Sequence, residues 1–135
     1  MYENILVPIA LDHGPNTAKA LEVAQKLVSD GGKITVLHVL EDIPAYVSQY
    51  LPEGQLSKNA KEAEASLKTE AVSVPGAETK VVTGHSGTTI TEYADGHGCD
   101  LIVIASHRPG LQDFFLGSTA ARVVRHAPCG VHVIR

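Results

Sequence analysis

The chain has no tryptophan, and aromatic residues make up only 4% of it. It therefore lacks the stacking platforms on which single-stranded nucleic acids are held. It has no excess of basic charge either. The formal net charge is -4, which argues against nucleic acid as the main partner. Cysteine is nearly absent: Cys99 and Cys129 stand alone, with no Cys-x-x-Cys pair, so neither a zinc site nor a disulfide framework is indicated. Both lie at strand edges in apolar surroundings, which predicts buried free thiols and a reducing compartment, with the cytoplasm as the expected location. No two of the seven histidines have His-x-x-x-His spacing, and no metal site is expected. Gly-x-Gly-x-x-Gly does not follow the first apolar run, and there is no Gly-x-x-x-x-Gly-Lys-Ser/Thr loop. The "GHSGTT" stretch at 84–89 has the glycines of a phosphate loop without its lysine and reads as a strand-to-helix turn. The start, "MYENILVPIAL", has Glu3, no basic segment and a short apolar run. It is read as neither a signal peptide nor a membrane span.

What is present is regular alternation. At 135 residues and 44% hydrophobic content, one domain spanning 1–135 is expected. The apolar run 5–11 ("ILVPIAL") suits a strand buried on both faces, with Pro8 able to end its ladder. Apolar positions from 17 to 28 keep helical spacing, and Gly31 and Gly32 are expected to stop that helix. Strands follow at 33–40, 78–84, 100–106 and 130–135. Helices are expected at 55–72, around 88–98, and from 118 to 127 before Pro128. This predicts an α/β fold: an open five-stranded parallel sheet of order 3-2-1-4-5 with helices on both faces. Such sheets hold ligands beyond the carboxyl ends of the strands, where the strand order reverses. Here that crevice lies between strands 1 and 4.

The stretch "LIVIASHRPGLQDFFLGSTAARVV" (101–124) runs from a strand through a polar loop into a helix, at that crevice. Unpaired amides at a helix start, a glycine permitting close approach and two hydroxyls form a phosphate receptor built from Gly117, Ser118 and Thr119. Ser118 is equally an ordinary N-cap residue. All four arginines (Arg108, Arg122, Arg125, Arg135) lie from 108 onward, where Asp113 is the sole acid, a distribution suited to a small anion. Arg108 sits in the loop, Arg122 one turn into the helix, and Arg125 where it complements the helix dipole.

The run "IASHRPGLQDFFLGSTAARVVRHAPCGVHVIR", with "NILVPIAL" and "VLHVLED" earlier, resembles the universal stress protein family over essentially all of the chain. Its "ASHRP" segment is similar to that of the F/G-type subgroup, which is associated with ATP binding. The resemblance implies an adenine nucleotide alpha hydrolase-like fold and ATP, with or without Mg2+, in the crevice. The family's nucleotide motif is glycine, two residues, glycine, nine residues, glycine, then Ser or Thr. Here Ala105 and Arg108 stand at the first two glycines, the second gap is eight residues, and Gly117-Ser118 matches. Ala10 stands where the family has an aspartate, and Asp12 is either its substitute as ribose partner or only a cap for the next helix. By resemblance, Pro8, Ile9 and Ala10 border the adenosine and Val39 offers its main chain to the adenine edge. Ala105, Ser106, His107 and Arg108 line the phosphate side, and Gly117, Ser118 and Thr119 hold the phosphates. Tyr46 and Tyr50 either close over the base or cover the sheet edge.

A binding module in a stress response is favoured over catalysis. His107, as acid or base, and Asp12, as a Mg2+ ligand, are the candidates for slow ATP hydrolysis or self-phosphorylation. A dimer that no longer binds nucleotide is the remaining alternative. The last strand (Gly130, Val131, His132, Val133, Ile134) is expected at a sheet edge, and the resemblance implies a homodimer through it. His38 is expected to be a hydrogen-bonded sheet histidine.

Overall fold

The computed structural model describes residues 1–11, 15–106 and 117–135. Asp12, His107 and Arg108 lie outside them. The strands are β1 (Tyr2–Pro8), β2 (Val28–Leu40), β3 (Glu78–Thr83), β4 (Leu101–Ala105) and β5 (Gly130–Ile134). The helices are α1 (Pro15–Leu27), α2 (Ala45–Ser48), α3 (Gln55–Glu70), α4 (Ser86–Gly96) and α5 (Ser118–His126). The sheet is parallel throughout, in the order β3-β2-β1-β4-β5, as the alternation predicts.

Side-chain alternation sorts the core into two layers. Ile5, Val7, Ile34, Val36, Leu101 and Val103 face one side, where α1 brings Ala20, Leu21 and Ala24, and α3 brings Leu67. Leu6, Leu37, Ile102 and Ile104 face the other, against Ile90 and Ala94 of α4 and Ala120 and Val123 of α5. The central strand has partners on both edges and helices on both faces. This explains why Ile5, Leu6 and Val7 are all fully buried and why β1 reads as a continuous apolar run.

Several boundaries differ from expectation for local reasons. β1 begins at Tyr2, not at 5, because the Asp100 carboxylate accepts the amides of Glu3 (2.9 Å) and Asn4 (3.0 Å) and ties its start to the approach of β4. β1 ends at Pro8, after which the Ile9 amide donates to the Leu37 carbonyl at 2.8 Å. Gly31 and Gly32 do not stop α1, which ends at Leu27. They lie within β2, at a register break where Tyr2 pairs with Val28 but Asn4 with Lys33. Gly31 has φ +78°, and a Cβ on Gly32 would stand 2.7 Å from Val28 Cγ2, so this bulge suits glycine alone. α3 gives way to a 3-10 turn at Ala71–Ser73, and α2 was not anticipated. Cys99 is buried as expected, whereas Cys129 is half-buried.

Candidate functional site

A parallel sheet with right-handed crossovers starts its helices at the carboxyl end of its strands. Three of these starts line one cavity of about 520 Å3 at that rim. Pro8, Ile9 and Ala10 contribute the end of β1, His38, Val39 and Glu41 the end of β2, and Ala105 and Ser106 the end of β4. Asn16 and Thr17 enter from α1, Ser86 from α4, and Ser118 and Thr119 from α5 with Gly117 before them. Thus Pro8, Ile9, Ala10, Val39, Ala105, Ser106, Gly117, Ser118 and Thr119, picked out in the sequence from distant segments, share one wall. None of α1, α4 and α5 has an acidic residue in its first turn, so their dipoles leave positive potential at the cavity.

The polar groups of the wall are already partly engaged. Ser106, only 6% exposed, donates its amide to the Ile134 carbonyl at 2.8 Å. Its hydroxyl oxygen accepts the Gly117 amide at 3.0 Å. Gly117, not Ser118, is the N-cap of α5. The expected set of free amides across Gly117–Thr119 therefore narrows to Ser118 and Thr119, which have no acceptor within their own helix. The Thr119 hydroxyl is 3.0 Å from the Ser86 hydroxyl, joining the starts of α4 and α5. The Ser86 amide points to Glu41 Oε1 at 3.4 Å, and His85 Nδ1 lies 3.9 Å from Glu41 Oε2. A carboxylate thus already faces the start of α4, while α5 has none among the described residues.

Two glycines shape the start of α4, and one of them, Gly87, lets α5 approach it closely. Gly84 turns the chain out of β3 with φ +154°, where a Cβ would overlap Thr89 Oγ1 at 2.3 Å. At Gly87 a Cβ would meet Arg122 Cδ at 2.8 Å and Arg122 Cβ at 3.0 Å. The stem of Arg122 consequently lies over α4, and Arg122 is not part of the cavity wall. Arg125 sits in the last turn of α5, where it complements the dipole. Tyr46 and Tyr50 are not among the residues lining the cavity. They are 69% and 82% exposed.

Residues not singled out as ligand contacts also reach the wall: His38, Glu41, Asn16, Thr17, His85 and Ser86. His38 is hydrogen-bonded as expected, with Nδ1 2.8 Å from the Ile9 carbonyl oxygen. Its place beside Val39 at the end of β2 was the available signal. Glu41 and Ser86 carried none, since only the β2–β3 pairing brings them together. No group of three or more potential metal ligands forms among the described residues. No helix among them is long and apolar enough to cross a membrane.

Comparison with known proteins places this architecture. A Thermus aquaticus universal stress protein, encoded in the QAH/OAS sulfhydrylase 3′ region, is 30% identical over 140 residues, with both chains covered completely. Universal stress protein G of Escherichia coli O157:H7 is 30% identical over 144 residues, again with complete coverage of both. Among solved structures, hypothetical protein MJ0577 superposes with a TM-score of 0.81 at 23% identity, covering 99% of this chain and 96% of that one. Three further structures of similar fold, with TM-scores of 0.61, 0.59 and 0.60, are universal stress proteins described in complex with cAMP, with dAMP (from Archaeoglobus fulgidus) and with AMP (from Arabidopsis thaliana). They are 21%, 20% and 21% identical to this chain, cover 99%, 99% and 98% of it, and are themselves covered to 97%, 98% and 90%. The profile of the universal stress protein family matches residues 1–135; with sheet order and whole-length relatives in agreement, the chain belongs to that family.

Proposed function

We propose that this chain binds an adenine nucleotide in the cavity at the carboxyl rim of the sheet and acts through its occupancy as a regulatory module in a cytoplasmic stress response. The observation carrying this reading is the start of α5. The amides of Ser118 and Thr119 open on a cavity of about 520 Å3, no acid sits in their turn, and apolar Pro8, Ile9, Val39 and Ile90 offer room for a flat ring. Relatives of the same fold hold AMP, dAMP and cAMP, which supports placing a nucleotide here. ATP is the expected ligand, with Mg2+ as counter-ion to its phosphates. Isothermal titration with ATP, AMP and cAMP tests the reading. Saturable binding at one site per chain is expected, and absence of heat with all three would refute it.

The same reading includes a homodimer through β5. That strand ends the sheet and is paired on its β4 side, while Gly130 and His132 are exposed. An edge of this kind accepts another strand. Sedimentation equilibrium should give twice the 14.3 kDa chain mass; the mass of a single chain at all concentrations counts against the dimer.

A further inference from the structure

The starts of α1 and α5 reach the cavity from opposite faces of the sheet. α1 packs on the layer of Ile5 and Val7, and α5 on the layer of Leu6 and Ile104. The sheet, ending at Pro8 and Ala105, runs between them. α5 meets the cavity with Ser118 and Thr119, α1 with Asn16 and Thr17. α1 is 13 residues long and has no acidic residue in its first turn, so its dipole leaves positive potential at this end. Pro15 opens the helix and brings no N–H. The amide of Thr17, still in the first turn, has no acceptor inside the helix.

The Thr17 side chain is a second, independent sign of a ligand. The residue is only 6% exposed, and among the described residues its hydroxyl makes no hydrogen bond. Yet no fully buried polar side-chain atom among them is left unpaired. The hydroxyl is therefore not sealed in: the small accessible part of Thr17 includes its oxygen, and what Thr17 lines is the cavity. An amide and a hydroxyl of one residue, at the positive end of a dipole, form a donor pair suited to an anionic oxygen.

We infer that the start of α1 is a second anion subsite, where Thr17 receives a phosphate carried on the ribose edge of the bound nucleotide. The inference rests on the nucleotide reading above and deepens it by naming the ligand class: an adenosine 5′-phosphate with a further phosphate on its 3′ or 2′ oxygen. Ribose carries its 5′ carbon on one edge and its 2′ and 3′ oxygens on another. A 5′-phosphate held at α5 turns those oxygens away from α5, across the end of the sheet. A bare sugar hydroxyl there would gain one hydrogen bond, whereas a phosphate also gains from the dipole. Glu41, the carboxylate among the described lining residues, faces Ser86 and His85 at the start of α4, so it does not occupy the start of α1.

Calorimetric titrations compare AMP with adenosine 3′,5′-bisphosphate and adenosine 2′,5′-bisphosphate. The wild type should bind one bisphosphate about tenfold more tightly than AMP, the scale of one hydrogen bond to a charged group. The isomer that wins identifies the oxygen bearing the group. Thr17→Val keeps the shape and removes the hydroxyl. It should lose most of that advantage, with AMP affinity and melting temperature unchanged, and Thr17→Ser should keep the advantage. A lowered melting temperature in Thr17→Val would mean that the hydroxyl has an internal partner, and counts against the subsite. No advantage for either bisphosphate in the wild type, or an advantage that Thr17→Val retains in full, overturns the subsite and leaves the nucleotide reading intact. If the wild type binds none of the three ligands, both fall.

Discussion

Gly87 shows how a single missing methyl group shapes the cavity. A helix interior normally gains about 1 kcal/mol when glycine becomes alanine. Here the new Cβ would stand 2.8 Å from Arg122 Cδ and 3.0 Å from Arg122 Cβ. The second atom is anchored to α5 and cannot swing away, so the clash dominates. Gly87→Ala should destabilise the fold by about 1–3 kcal/mol, as overpacking does, seen as a lower urea midpoint with unchanged slope. Burial pushes the Cys99 thiol up to about 11, with Cys129 as the next contribution, and Cys129 and Tyr93 are raised in the same direction, also chiefly by burial. A folded-state value above the unfolded one means that the native protein holds its proton longer. The stabilisation is therefore full below the ordinary thiol range and lost as pH rises through the folded value. Urea unfolding at about pH 8 and about pH 10.5 should show a stability loss that is smaller in Cys99→Ser. An equal loss in both proteins would assign the alkaline sensitivity elsewhere.

At the scale of elements, α5 carries the most distinctive charge pattern. It has no acid in its first turn and Arg125 and His126 in its last. The basic end complements the dipole, while the amino end is left for something outside the helix. Ser118→Asp fills that place from within. It should stabilise the folded protein by about 0.3–1 kcal/mol and weaken nucleotide binding at least about tenfold through like charges meeting in a small space. A thermal melt and a titration on the same sample check the pair. Loss of both stability and binding would mean that α5 had been damaged, not blocked. The five strands and four longer helices were legible because each writes its own period: Leu101–Ile104 alternates between layers, and α1 repeats Ala20, Leu21 and Ala24 on one side. The bulge at Gly31–Gly32 was not legible, since glycine after an amphipathic run signals a helix stop equally well. The exposed segment at 45–50 has no buried partner to impose a pattern. The rim was legible at Pro8–Ala10, Val39, Ala105–Ser106 and Gly117–Thr119 because the strand order fixes which loops meet there. The partnerships of His38 with Ile9, Ser86 with Thr119 and Glu41 with Ser86 depend on side-chain reach across strands, which no local pattern records.

For the molecule as a whole, a ligand that binds only the folded form adds stability set by its concentration relative to its dissociation constant. At a hundredfold excess over that constant, AMP or ATP should add about 2.7 kcal/mol, read as a rise in melting temperature with ligand concentration. The unchanged melting of a sample with saturating nucleotide would contradict the proposed site. The stitch from Asp100 to the amides of Glu3 and Asn4 lies at the opposite rim from every helix start in the cavity wall. Its position divides the domain into a foundation and a workbench. Changes at Asp100 should weaken cohesion without altering which small molecule is chosen, while the upper lip can exchange one side chain for another with the footing undisturbed. Relatives built on the same plan thus have room to diversify their chemistry on one lip alone.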